Sequence, residues 1–159
     1  MSTQRKKLIR KVIIAIILVA VAGVSYAGYV FFKPHRDVQS ASTDFTLQSS
    51  TIVAEYLANP DRANEKYLDD AGLSKILEVT GTVASITEDY NNQKVVLLKS
   101  AGDKAGVSAT FTTETNTSAE ALKIGQTVKI KGVIRSGASY NDDLEFYENV
   151  IMEKSDVVQ

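Results

Sequence analysis

Between Lys11 and Lys33 the chain carries no charged residue. The run from Val12 to Phe32, VIIAIILVAVAGVSYAGYVFF, is 21 residues long. As a helix it would extend about 31 Å, the thickness of a bilayer's hydrocarbon core. A helix buried against a protein core would show a polar stripe over that length, and this run has none. Tyr26, Tyr29, Phe31 and Phe32 gather at its far end, where aromatic rings favour the membrane–water interface. A cleaved signal peptide would have an apolar region of about 7–15 residues closed by small side chains. This run is longer and closes on bulky rings, so it predicts an uncleaved transmembrane helix over 12–32.

Orientation follows from the flanks. Arg5, Lys6, Lys7, Arg10 and Lys11 precede the run, whereas only Lys33 and Arg36 follow closely. The positive-inside bias puts a basic stretch over 1–11 in the cytoplasm and the remainder outside. The expected location is the inner (cytoplasmic) membrane, crossed once, with a periplasmic C-terminal domain. The chain has no cysteine, which removes a lipobox anchor, disulfides, thiolate metal sites and thiol catalysis.

Charge divides along the same boundary. The whole chain has 18 Lys+Arg against 19 Asp+Glu, but residues 1–36 hold seven of the cations and no acid. The remaining eleven cations face nineteen acids, a net charge of −8. Phosphate contacts dominate nucleic-acid affinity, so such a field opposes polyanion binding.

Residues 33–43 are small and polar, a linker pattern. Over 44–72 the spacing turns helical. Ile52, Val53, Tyr56 and Leu57 share a face, with Ser49 or Ser50 available as N-cap. Asn59-Pro60-Asp61 then breaks the chain and opens a second helix running to about Leu68. From Lys75 the period becomes two. Strands are expected over Ile76–Glu88, Lys94–Lys99, Val107–Thr112, Thr127–Arg135 and Leu144–Met152, with a short helix over Thr117–Leu122. Gly81, inside the long first strand, marks a bulge or bend, and KVVLLK reads as a strand buried on both sides for part of its length. These strands place a barrel at 75–153 and leave 154–159 as a frayed tail.

Five strands, a long bent first one and a short helix between the third and fourth describe an OB-fold barrel, a mainly β class. The wording of the sequence agrees. Ala63-Asn64-Glu65-Lys66-Tyr67, Leu77-Glu78-Val79-Thr80-Gly81-Thr82-Val83 and Leu122-Lys123-Ile124-Gly125-Gln126-Thr127-Val128-Lys129-Ile130-Lys131-Gly132 occur in order. Over roughly Ala54 to Ile151 the chain resembles the bacterial tRNA-anticodon-binding-like OB-fold family, found as lipoproteins or membrane-anchored proteins. The resemblance implies the fold and a membrane-associated setting, and assigns no reaction. Relatives with cysteines in the last strands have Ser136 and Asn149 as counterparts here, so no disulfide carries over.

OB-folds bind ligands on the face of barrel strands two and three and on the adjoining loops. Single-stranded nucleic acid needs stacking aromatics beside cations there. The expected outward residues are Ser108, Thr110 and Thr112, with Lys94 and Lys99 the available cations and no aromatic. The loops offer more. Tyr90, Asn91 and Asn92 lie between the first two strands, Tyr140 and Asn141 between the last two, and both loops are expected at one barrel rim. Aromatic and amide groups together suit glycans or polar peptides, and Glu88, Asp89, Asp142 and Asp143 favour a cationic partner. The same residue types also simply make good turns. The acids lack the spacing of an EF-hand, and no metal or other cofactor is expected. His35, the single histidine, lies at the membrane boundary. Neither a Gly-x-Ser-x-Gly elbow nor a Walker loop occurs, so no catalytic residue is assigned and no enzyme is expected. The expected function is a non-enzymatic binding or scaffold module in the bacterial envelope. Its partners would be the lipid bilayer through 12–32 and an envelope protein or glycan at the rim. The alternative is a nucleic-acid-binding OB domain facing the cytoplasm.

Overall fold

The computed structural model describes residues 3–31 and 37–159, with side chains of the first helix over 13–28. Two compact units result, Met1–Arg36 and Asp37–Gln159. The first contains α1 (Thr3–Phe31). Its described side chains are uncharged, all but Ser25 and Tyr26 wholly apolar, and large ones are exposed along the helix, from Ile13 and Ile16 through Leu18 and Val21 to Val24. The side chains of the basic stretch 1–11 and of Tyr29, Phe31 and Phe32 lie outside the described residues, as do residues 33–36 with His35. Among the described residues no helix is long and apolar enough to cross a membrane.

The second unit is built on β2 (Ile76–Glu88), β3 (Lys94–Leu98), β4 (Val107–Phe111), β5 (Thr127–Ser136) and β8 (Val150–Val157). They pair in the order β2-β3-β4-β8-β5, and β5 returns to β2 to close the barrel. All pairings are antiparallel except that of β4 with β8. Strict alternation makes β2 the wall on which the rest is registered. Leu77, Val79 and Val83 are buried, whereas Glu78, Thr80 and Thr82 face outward. The bend in β2 falls between Val83 and Ser85 rather than at Gly81. Gly81 serves a close approach instead, since a Cβ there would stand 2.7 Å from Ser49 Oγ and 2.9 Å from Leu98 Cβ. In β3 only Val96 and Leu98 are buried; Val95 and Leu97 are half-exposed, so the strand is covered on one side.

Two helices plug one barrel end, α2 (Ser49–Ala58) and α3 (Pro60–Tyr67). Asn59 Oδ1 accepts from Arg62 N–H at 3.1 Å, and Pro60 takes the first turn, where no N–H is needed. Ile52, Val53, Tyr56, Ala63 and Tyr67 join the core of Leu77, Leu98, Phe111, Ile130 and Met152. Neither Ser49 nor Ser50 caps α2. Gln48 occupies that position without a side-chain bond, because Phe45–Gln48 forms β1, paired parallel to β2 from Phe45↔Leu77 to Gln48↔Thr80.

Residues 37–43 are folded onto the barrel. Val38 is buried against Ile76 and Val133 on its outer wall. Gln39 Nε2 donates to Lys154 O at 2.7 Å, and Lys131 Nζ donates to Ala41 O at 2.6 Å. The C-terminal residues are equally engaged, since β8 continues to Val157 and pairs Val157 with Ile130. Between β4 and β5, α4 (Asn116–Glu120) is capped by neither Thr117 nor Ser118. Thr115 stands at the cap position, and its hydroxyl donates to Ser155 O at 2.7 Å instead.

Candidate functional site

Strand direction decides which loops meet. The 89–93 turn joins β2 to β3 beside the pair Glu88↔Lys94, at the end where β4 finishes at Phe111. The 137–149 segment joins β5 to β8 near Ser136↔Ile151, at the end where β4 begins at Val107. Tyr90, Asn91 and Asn92 therefore stand at one end of the barrel and Tyr140 and Asn141 at the other. The expected common rim does not form, because the two loops are separated by one strand length.

The first of these ends is a well-made turn. Asp89 Oδ1 accepts from Asn91 N–H at 2.8 Å and from Gln93 N–H at 2.9 Å, and Asn92 adopts a left-handed φ of 58°. Asn116 Nδ2 donates to Asn92 O at 2.8 Å, tying the turn to α4. Tyr90 is fully exposed. Geometry spends the Asp89 carboxylate and the Asn92 backbone on the turn itself.

The opposite end carries a hairpin the sequence pattern leaves as loop and strand start. Here β6 (Ser139–Asn141) pairs with β7 (Phe146–Glu148). Tyr140 and Tyr147 oppose each other on one face, with centroids 4.8 Å apart, and Lys104 Nζ lies 5.5 Å from the Tyr147 ring. The pairs Ser139↔Glu148 and Asn141↔Phe146 share the other face. Ser139 Oγ donates to Glu148 Oε2 at 2.7 Å, and Asn141 Nδ2 donates to Oε1 at 3.1 Å. Those two bonds, Ser139's first, hold the Glu148 carboxyl below its usual pKa. Asn141 Oδ1 also accepts from Leu144 N–H at 3.0 Å, closing the hairpin turn. Gly106 N–H donates to Asn149 Oδ1 at 2.8 Å and roots the hairpin on the barrel.

Tyr140, Leu144 and Phe146 remain exposed, so an apolar tip projects into solvent. Beneath it, a cleft of about 440 Å³ runs between Phe146, Glu148 and Ser139 on the hairpin and Ser136 and Ile151 on the barrel. A second cleft, about 420 Å³ between α2 and α3, is lined by Glu55, Asn59, Arg62 and Lys66. There Lys66 and Glu55 already pair at 2.8 Å.

The outward face of β3 and β4 offers neutral chemistry. Val95 opposes Thr110 and Leu97 opposes Ser108. Thr112 lies just beyond β4, bonded to Thr115. Lys94 is held at 2.7 Å by Glu88 and at 3.4 Å by Glu120, and Lys99 Nζ donates to Lys104 O. No group of three or more metal-ligating side chains occurs among the described residues.

The hairpin's residues were within reach of sequence reasoning. Ser139-Tyr140-Asn141 and Phe146-Tyr147-Glu148 flank a four-residue turn of Asp142 to Glu145. Because one face of this ribbon carries two tyrosines and the other mixes Phe146 with Ser139, Asn141 and Glu148, the apolar–polar alternation that marks a half-buried strand is missing.

A closed barrel of this strand order, with its helix between the third and fourth barrel strands, defines an OB-fold protein. The profile of the tRNA_anti-like family matches residues 1–143. The chain belongs to that family. Among solved structures it is similar to the crystal structure of a "putative nucleic acid-binding lipoprotein" from Klebsiella pneumoniae subsp. pneumoniae. That match has a TM-score of 0.52 and 19% identity, and covers 79% of this chain and 99% of the other. At this identity the likeness speaks for the fold alone. No curated protein matches.

Proposed function

We propose that this chain is a non-enzymatic binding module held at the bacterial cytoplasmic membrane by α1. Its barrel stands outside the cytoplasm and engages an envelope protein through the hairpin end. The carrying observation is the exposed hairpin end, with Leu144 at its turn, Phe146 on the face that lines a cleft and Tyr140 on the opposite face, since large apolar groups left exposed on a small domain mark an interaction surface. Anchoring is supported by the uncharged run 12–32, the five preceding cations and the apolar exposure around α1.

Proteolysis of a C-terminal tag in intact spheroplasts tests the topology. A photo-crosslinker at Leu144 in the same cells tests the surface. Cleavage of the tag together with a discrete crosslinked protein is expected. A tag protected in spheroplasts but cleaved after lysis overturns the reading.

Nucleic-acid binding is the second reading, favoured by the name of the Klebsiella neighbour. Against it stand the −8 charge after residue 36 and the engagement of Lys94 by two acids. Salt-sensitive binding of a single-stranded oligonucleotide by the full chain would favour it over the envelope reading.

A further inference from the structure

We propose that the cleft beneath the β6–β7 hairpin seats a lysine or arginine side chain from a basic segment of a protein partner. This rests on reading the chain as a binding module and specifies the partner's chemistry.

Three observations converge. The first is the placement of Glu148. Each carboxylate oxygen accepts one bond from the hairpin itself, from Ser139 Oγ and from Asn141 Nδ2. The group is therefore oriented before any ligand arrives, and each oxygen keeps acceptor capacity for a cation.

The second is the cleft's mixed lining. Phe146, Tyr147 and Ile151 line it together with Glu148. Long basic side chains lay their methylene stems along apolar surface and carry the charge to a carboxylate. A small anion finds no cation among the lining residues.

The third is unspent charge. Residues 136–149 contain Asp142, Asp143, Glu145 and Glu148 and no cation. Elsewhere among the described residues Glu55, Glu78, Glu88, Glu120 and Glu153 pair with a lysine or arginine and other acids, Asp61, Glu65 and Asp103 among them, do not; the hairpin stands apart in concentrating four acids with no cation in one short segment. Among the described residues no ion pair includes any of the four hairpin acids. Lys104, the nearby cation, is engaged over the ring of Tyr147, which also lines the cleft, and forms no ion pair with Glu148. Charge complementarity thus selects a basic polypeptide, with Asp142 and Asp143 extending attraction beyond the cleft.

Fluorescence anisotropy of the full chain in detergent, with a labelled peptide alternating lysine and serine, tests this. The native chain binds the peptide, and Glu148→Gln and Phe146→Ser each weaken it about tenfold, the scale of one charge-assisted contact. Tyr90→Ala, at the opposite barrel end, leaves binding unchanged. The lysine-acetylated peptide and a glutamate–serine peptide bind more weakly than the parent. Equal binding of the parent peptide by native chain and Glu148→Gln, or of acetylated and parent peptides by the native chain, overturns the proposal. Glu148 is exposed, so its isosteric variant keeps the test valid if Phe146→Ser unfolds. A Leu144 crosslink that persists in Glu148→Gln overturns this inference while the binding-module reading stands. A protected tag overturns that reading itself.

Discussion

Gly137 lies directly against the ring of Tyr56, so that a Cβ on the glycine would overlap the ring carbons Cε1 and Cδ1. The contact joins α2 to the segment leading into the hairpin. Gly137→Ala must displace a fully packed ring, and overfilling of that kind costs about 1–3 kcal/mol. A thermal melt is expected to show Tm lowered by roughly 5–10 °C. An unchanged Tm would mean that the ring has room to retreat.

The Tyr56 hydroxyl is buried and makes no hydrogen bond within the protein. Tyr56→Phe removes a polar atom without orphaning a partner, so stability is expected to hold or rise by up to about 1 kcal/mol. Burial pushes the hydroxyl up to about 12 from an ordinary value near 10. The raised value sets the sign. This contribution is complete below pH 10.0 and is lost as pH climbs toward about 12. Denaturant midpoints across that window are expected to fall less steeply in Tyr56→Phe than in the native chain.

Glu55 accepts from Lys66 Nζ at 2.8 Å and from the Tyr67 hydroxyl at 2.9 Å. The bond from Lys66 leads in depressing its carboxyl pKa. A depressed carboxyl stabilises above its unfolded-state pKa, and that contribution disappears as pH falls through the folded value. Because both side chains are over a third exposed, the effect is under about 1 kcal/mol. Glu55→Gln is expected to flatten the acid limb of a stability–pH curve and, because the bond to Glu55 also raises the Lys66 pKa, to soften the fall above pH 10.5.

Removing residues 154–159 cuts away Ser155, fully buried opposite Gly132, and unpairs Val157 from Ile130. At about 1 kcal/mol net for each lost backbone bond, the deficit reaches several kcal/mol. The truncated chain is expected to lose cooperative melting, whereas deletion of Gln159 alone leaves it intact. Cooperative unfolding after the larger deletion would mean that β8 closes the barrel with its first half.

These differences show where sequence signals end. The bounds of β2 at Ile76 and Glu88 are legible because one face is buried along most of its length, and α3 is legible because Asn59-Pro60 is local chemistry. β1 hides in four residues, Phe45 to Gln48, whose half-exposed alternation merges with the apolar residues opening α2. Ser155 and Val157 show no hydrophobic run, yet their backbone completes the barrel. Tyr90 and Tyr140 could not be placed from their loops' composition. Which end a loop occupies depends on the direction of every preceding strand, a property of topology and not of residues.

The parallel ladder of β1 with β2 has a mechanical consequence. Tension entering this unit at Asp37 first meets Val38 and the bonds of Gln39 and Lys131, then runs along β1. Parallel strands pulled lengthwise must slide, breaking their bonds together and not one after another. The stretch before the barrel is thus built as a strain-bearing clasp, and a tug on the leading chain would be resisted before it reached the hairpin.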